Sequence, residues 1–335
     1  MIRLHRSLLV DHRRPSHESV SQVRAGLAHA IELEHSTIPL YLYAMYSLDP
    51  QRNGEIRAIL RDTALEEMLH MVLAANVLNA LGGSPSIDRP NFVPKYPGHL
   101  PGGVEGHVAV HLRPFSMDQL RVFIEIEEPR DPLEGTLADD LEVGTCTIGE
   151  FYLSIEWAIA QLEESVFSGD PAKQVGPELM RGSVAVTDQA SAIRALATII
   201  DQGEGARRTP MGAGDGEAPP LAHYYRFMQI HEGRRLVNAE GSVVFAGEPI
   251  EFDPEGVWTM PDDPSVHHFA KSSTERHQLE GFNTSYRALL GSVERFLNGA
   301  ADDATFMRAL ASMKELEERA EALVRVGLGP TFELV

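Results

Sequence analysis

Cysteine occurs once in the 335 residues, at Cys146, so the chain can form no intrachain disulfide and no thiolate cluster. A lone thiol just before Glu150 reads as a small buried apolar residue rather than a nucleophile. Long apolar runs are missing as well. Hydrophobic residues make up 43% of the chain but nowhere form the uninterrupted stretch that a membrane span requires. Residues Met1 to Val10 hold two arginines and too short an apolar stretch for a secretory signal, so a cytoplasmic location is expected. Positive charge is scarce: 29 Lys and Arg against 49 Asp and Glu give a formal net charge of −20. Nucleic acid and anionic membrane both demand concentrated positive charge and are excluded as expected partners. No internal repeat or low-complexity segment is evident.

What the chain does have is carboxylates placed inside apolar stripes. In a helical segment from about Val23 to Leu48, one face reads Leu27, Ile31, Glu34, Ile38, Tyr41, Met45. An unpaired ionised carboxylate there costs several kcal/mol, so Glu34 needs a cation, a donor network or a shifted pKa. Glu32, two residues away, turns to another face. A second segment, about Glu55 to Leu81, has the stripe Ile56, Leu60, Thr63, Glu67, His70, Ala74, Val77. Glu67 and His70 sit at i, i+3, the spacing that lets both reach one metal, while Glu66 falls on a neighbouring face.

A third segment starts near Thr147 with the face Glu150, Leu153, Trp157, Ala160. The fourth, from Ser191, carries Ile193, Leu196, Ala197 and Ile200 toward Glu204. After a glycine-rich break it resumes with Leu221, His223, Tyr224, Phe227 and Ile230. Arg207 stands where a Glu-x-x-His pair would place its histidine, so His223, across an insertion of about eighteen residues, is the expected partner of Glu204, with His231 the alternative. Carboxylates and imidazoles without thiolate suit iron or manganese better than zinc.

Between these segments, Gly82 to Pro114 is rich in proline and glycine and reads as a packed crossover or lid, with Tyr96, His99, His107 and His111 structural or exposed. A short helix, Ser116 to Glu128, is capped by Ser116 and stops at Pro129, its acidic end Glu125, Glu127 and Glu128 forming a solvated face. Pro39 predicts a kink in the first helix. Residues 203–220 have the composition of a surface loop, which at the mouth of the site would gate it. Extended pieces are expected at Val243 to Phe245 and Pro249 to Phe252. Helices are expected over Gly281 to Asn298 and Ala304 to Val326, the last lined by Phe306, Leu310, Met313, Leu316, Ala320 and Leu323.

With these residues in place the chain resembles the ferritin-like superfamily, and within it the ferritin-like domain of the iminophenyl-pyruvate dimer synthases of bisindole biosynthesis. The resemblance spans roughly residues 20 to 330. It rests on Ala30-Ile31-Glu32-Leu33-Glu34-His35-Ser36-Thr37-Ile38-Pro39, Glu66-Glu67-Met68-Leu69-His70, Thr147-Ile148-Gly149-Glu150-Phe151-Tyr152, Gln202-Gly203-Glu204-Gly205 and His223-Tyr224-Tyr225-Arg226-Phe227. It implies a mainly α, ferritin-like four-helix bundle with a long crossover loop and a C-terminal helical extension. The expectation is a single domain over 1–335, its bundle core at about 20–235 and its extension at about 236–335.

It also implies Glu34, Glu67, His70, Glu150, Glu204 and His223 as ligands of two iron ions, manganese replacing one or both, with Glu67 as the bridge. The expected function is activation of dioxygen to oxidise a small organic substrate derived from an amino or imino acid. The alternatives are iron oxidation and storage, metal sensing without organic substrate, and a metal-free network of shared protons. Tyr41 is the candidate catalytic residue, hydrogen-bonding a ligand or passing an electron, against a plain core tyrosine. Arg226 is the candidate for a substrate carboxylate, against a surface salt bridge. A homo-oligomer is compatible with the sequence.

Overall fold

The first two apolar stripes become the two longest helices, α1 (Ser16–Tyr46) and α2 (Gly54–Ala80), packed along each other. This computed structural model describes residues 3–11, 16–104, 109–129, 144–203, 221–239, 242–299 and 302–334. Helix α1 stays helical on both sides of Pro39, which lacks a backbone donor. Just before it, the Ser36 and Thr37 hydroxyls donate back to the Leu33 and Glu34 carbonyls, and Tyr96 donates to the Ser36 carbonyl at 2.7 Å. Tyr96 thereby anchors the proline-rich crossover, whose Ile87, Phe92, Leu100, Val110 and Leu112 are buried against the helices.

After α3 (Met117–Ile126), capped by Ser116 as its sequence predicts, a two-residue strand β2 (Thr145–Cys146) pairs antiparallel with β1 (Leu4–His5) and leads into α4 (Ile148–Ile159). Cys146 is buried there, and burial pushes its thiol up to about 12, which leaves it inert at neutral pH. Helix α4 packs on α1 and on α5 (Gln189–Gly203), and α5 packs on α2, closing a four-helix bundle. The segment between α4 and α5 is held to α2 by Asn76, whose Nδ2 donates to the Val175 and Val184 carbonyls at 2.8 Å. In the same segment a Cβ on Gly169 would meet the Asn79 carbonyl at 1.9 Å, so only glycine allows this approach.

Helix α6 (His223–Glu232) packs on α3 and α2, then enters a hairpin of β3 (Arg234–Ala239) and β4 (Ser242–Pro249). The expected extended piece Val243 to Phe245 lies in β4, whereas 250–252 lie beyond its end. Helices α7 (Thr274–Leu297) and α8 (Asp303–Arg325) form an antiparallel pair against α1 and α2. Ser273 accepts from the Arg276 amide and starts α7 seven residues before the predicted Gly281. Leu279, Phe282, Leu290 and Leu297 of α7 join one continuous core with the bundle. Each such side chain contributes roughly 1.5–3 kcal/mol by leaving water. No helix among the described residues is long and apolar enough to cross a membrane.

Candidate metal centre

Midway along α1 and α2, Glu34, Glu67 and His70 turn into the bundle, each under a tenth exposed. His70 Nδ1 stands 3.3 Å from Glu34 Oε2 and 3.2 Å from Glu67 Oε2. The other nitrogen of the ring, Nε2, faces Gln202 Oε1 at 3.2 Å. Donation from Nε2 to that amide oxygen leaves Nδ1 as the free electron pair pointed at the carboxylates.

His223, the first residue of α6, repeats the arrangement on the other side of Glu67. Its Nδ1 is 3.3 Å from Glu67 Oε1 and 3.6 Å from Glu127 Oε2, and its Nε2 is 3.1 Å from Glu66 Oε2. The two imidazoles stack with centroids 5.3 Å apart. The terminal carboxylates are steadied in the same way, since the Tyr152 hydroxyl donates to Glu34 Oε1 and the Tyr41 hydroxyl donates to Glu127 Oε1. Two sets of three ligand atoms result, Glu34/Glu67/His70 and Glu67/Glu127/His223, each with atoms within 4.8 Å of one another and sharing Glu67.

The donor set fits a pair of cations. Its oxygen and nitrogen ligands suit iron or manganese. His223 Nδ1 is buried without a hydrogen-bond partner, although two carboxylates face it. The protonation equilibria point the same way. Burial and repulsion from Glu67 raise the Glu34 pKa. Burial opposes protonation of His70, but Glu34 and Glu67 override it and push the imidazole up to about 9. His223 is likewise raised, burial being outweighed by Glu67, Glu127 and Glu66. This cluster draws in positive charge, and a metal would replace the protons it otherwise gathers.

Not every expected ligand joins it. Glu150 caps its own helix: its Oε2 accepts from the Thr147 amide at 2.8 Å, and its amide donates to Thr147 Oγ1 at 3.0 Å. Thr147-Ile148-Gly149-Glu150 is thus a capping box, a signature that the sequence also carries, and Glu150 belongs to neither set of ligand atoms. The face assigned to this helix is corrected too: Phe151, Tyr152, Ile155 and Ala158 are buried, whereas Leu153 and Trp157 are half-buried and Ala160 is exposed. Glu204 lies outside the described residues, as does the rest of the glycine-rich insertion to 220. His231 is exposed near the end of α6, away from both sets.

Glu127 is the residue that sequence reasoning missed. It is buried rather than part of a solvated face, and it ends α3 as its C-cap. The signal was present: Leu120 and Phe123 lie seven and four residues earlier, so Glu127 extends the buried stripe of α3. Arg226 is committed to Glu66, its Nη2 lying 2.6 and 2.8 Å from the two carboxylate oxygens, and its Nε donates to the Leu221 carbonyl. Burial favours the neutral acid, yet His223 and Arg226 hold Glu66 down to about 2. Arg226 therefore orients the partner of a histidine and is not free for a substrate carboxylate. Beside the cluster is a space of about 30 Å³, lined among the described residues by Glu34, Glu67, His70, Glu127, Tyr152 and apolar side chains such as Ile126 and Ile199. That is room for about one or two water-sized molecules.

The family model described as Ferritin-like matches residues 27–232. A 2-imino-3-(indol-3-yl)propanoate dimerase of Chromobacterium violaceum is 28% identical over 258 residues, which is 64% of this chain and 23% of that protein. A dichlorochromopyrrolate synthase of Lentzea aerocolonigenes is 23% identical over 388 aligned positions, 93% of this chain and 36% of that protein. The chain thus spans about a quarter to a third of the length of these curated relatives. The crystal structure of a ferritin-like protein from Caulobacter vibrioides superposes with a TM-score of 0.62 at 22% identity, covering 93% of this chain and 97% of that one.

Proposed function

The chain belongs to the ferritin-like family, and from that premise we propose that it is a di-metal oxidoreductase that activates dioxygen to oxidise a small organic substrate. The observation that carries this is the pair of ligand sets sharing Glu67. Glu34 and His70 would hold one ion, Glu127 and His223 the other, and Glu67 would serve both. A pair of iron or manganese ions there would supply the one-electron steps that dioxygen requires. The protein's own part is orientation. Gln202 and Glu66 fix which ring nitrogen of each histidine faces inward, and Tyr152 and Tyr41 each occupy one oxygen of a terminal carboxylate so that the other points at the centre. Tyr41, buried and with its pKa raised by burial and by Glu127, keeps its proton and acts as that donor.

An aromatic 2-imino or 2-amino acid is the proposed substrate class, by analogy with the dimerase whose name specifies an indolyl imino acid. Iron oxidation without organic substrate is the second reading, favoured by the small volume of the space at the centre. Plasma emission on protein purified without chelator tests the centre, with about two iron or manganese ions per chain expected, lost in the Glu67→Ala, His70→Ala double variant. A metal-free wild type as stable as the variant would sink the proposal. Oxygen uptake that depends on ferrous iron alone, with no effect of any imino or amino acid, would select the second reading.

A further inference from the structure

The described residues around the candidate ligands cover them unevenly. Toward α3 and α6, Tyr41, Phe123 and Phe227 pack ring against ring with centroids 4.9, 5.3 and 5.6 Å apart, and all three are fully buried. None of the three lines the space of about 30 Å³ beside Glu34, Glu67, His70 and Glu127. Of the residues that do line it, only Ile148, Ile200 and Gly203 are partly exposed. The mouth of the space therefore lies between the start of α4 and the last turn of α5.

Gly203 ends α5, and neither of the usual reasons for a glycine holds there. Its backbone does not take a positive φ, so the left-handed conformation that favours glycine at a helix end is absent. Close packing does not require it either: among the described residues, a Cβ at 203 would meet only His70 Cε1 at 3.8 Å, an ordinary van der Waals contact. A helical glycine is less stable than alanine because it loses more backbone freedom on folding. What the missing side chain leaves is room beside His70. Cε1 joins the two ring nitrogens, Nδ1 facing Glu34 and Glu67, and Nε2 facing Gln202. Consecutive residues of α5 thus act on one ring: Gln202 fixes it, and Gly203 leaves the flank of its metal-facing nitrogen open.

We propose, resting on the di-metal reading above, that Gly203 is the size-determining residue for a two-atom ligand such as dioxygen, which reaches the centre between Ile148 and Ile200. The lining suits such a ligand. Leu33, Ile126, Ile148, Ile199 and Ile200 form an apolar wall, which receives a nonpolar diatomic without favouring water in its place. A volume for about one or two water-sized molecules fits two heavy atoms and excludes a ring. Each atom added at 203 takes from that volume, the first already touching His70.

The test mixes the whole chain, loaded with ferrous iron and kept anaerobic, with nitric oxide, a two-atom probe whose binding to iron is followed by visible absorption in a stopped-flow instrument. Plasma emission on the same samples gives their iron content. Gly203→Ala, Gly203→Val and Gly203→Leu should keep about two iron ions per chain. Nitric oxide uptake should slow in that order, by about tenfold or more in the last. Gly203→Ala should also unfold about 1–2 °C higher, as replacement of a helical glycine implies. If Gly203→Leu does not fold, the alanine and valine variants carry the same comparison. Wild-type uptake rates in iron-loaded variants would overturn this inference alone. Loss of iron or a lower unfolding temperature in Gly203→Ala would also overturn it, because the glycine would then serve to seat His70. A wild type that holds no iron would overturn it together with the di-metal reading.

Discussion

The two halves of the candidate centre, each a group of side chains that could hold a metal ion, use one plan but different materials. In the His70 half, both ligand-bearing elements are long helices, and the ring is anchored on the neutral amide of Gln202. In the His223 half, the ligands come from the end of one ten-residue helix and the start of another, and the ring is anchored on Glu66, a carboxylate itself held by Arg226. Regular helices let a carboxylate be placed by spacing alone. Short ones must be positioned by tertiary contacts, here a charged pair that locks α6 onto α2. The charged anchor also makes His223 the more electron-rich imidazole, so its half should hold a cation more firmly.

The comparison breaks most completely at Glu67, the residue common to both halves. Glu67→Gln is expected to take metal content from about two ions per chain to near zero and to abolish oxygen uptake, as measured by plasma emission and an oxygen electrode. Next in size are the paired variants Glu34→Gln and Glu127→Gln, each expected to leave about one ion per chain. The ion kept by Glu34→Gln, in the His223 half, should resist chelator longer. Two ions retained in Glu127→Gln would remove Glu127 from the centre and with it the two-half plan.

A third prediction concerns metal-stripped protein. His70 carries a folded pKa of about 9 against an ordinary 6.5, so its stabilisation is complete below pH 6.5 and is lost as pH rises through 9. The raised Glu34 acts in the same direction. Stability of the stripped protein should therefore fall across pH 6.5 to 9, by at most about 1.4 kcal/mol per pH unit from His70. Metal-loaded protein, whose histidines hold no such proton, should show a flatter profile in urea titrations. Equal slopes would mean that the histidines do not exchange protons for metal.

The smallest effect is expected at Glu150. As the distal member of a capping box, Glu150→Ala should cost about 0.5–1 kcal/mol in thermal or urea unfolding and leave metal content unchanged. Loss of an ion would return Glu150 to the ligand set.

Legibility in the sequence follows the same division. Glu34, Glu67 and His70 interrupt long stripes whose 3.6-residue period leaves one face to choose, and the structure places the three side chains together. The ferritin-like fold was legible for the same reason, from helices long enough to show their period and from motifs that resemble the family. Glu150 was read as a ligand although one residue pattern, Thr-x-x-Glu before an apolar run, serves both a cap and a ligand, and the structure shows the cap. Glu127 was hidden at the end of a helix too short for its stripe to outweigh three neighbouring acids.

Amino-acid order alone determined that the chain is helical, that it can form no intrachain disulfide or thiolate cluster, and which face of α1 and α2 is costly without a cation. These are properties of periodicity and composition, which need no partner segment. Tertiary structure alone decided that Glu127 and His223, 96 positions apart in the chain, share Glu67. It also turned Glu66 and Arg226 into a support for a ring. Each depends on the distance between segments remote in sequence, fixed by packing and charge pairing rather than by any local pattern.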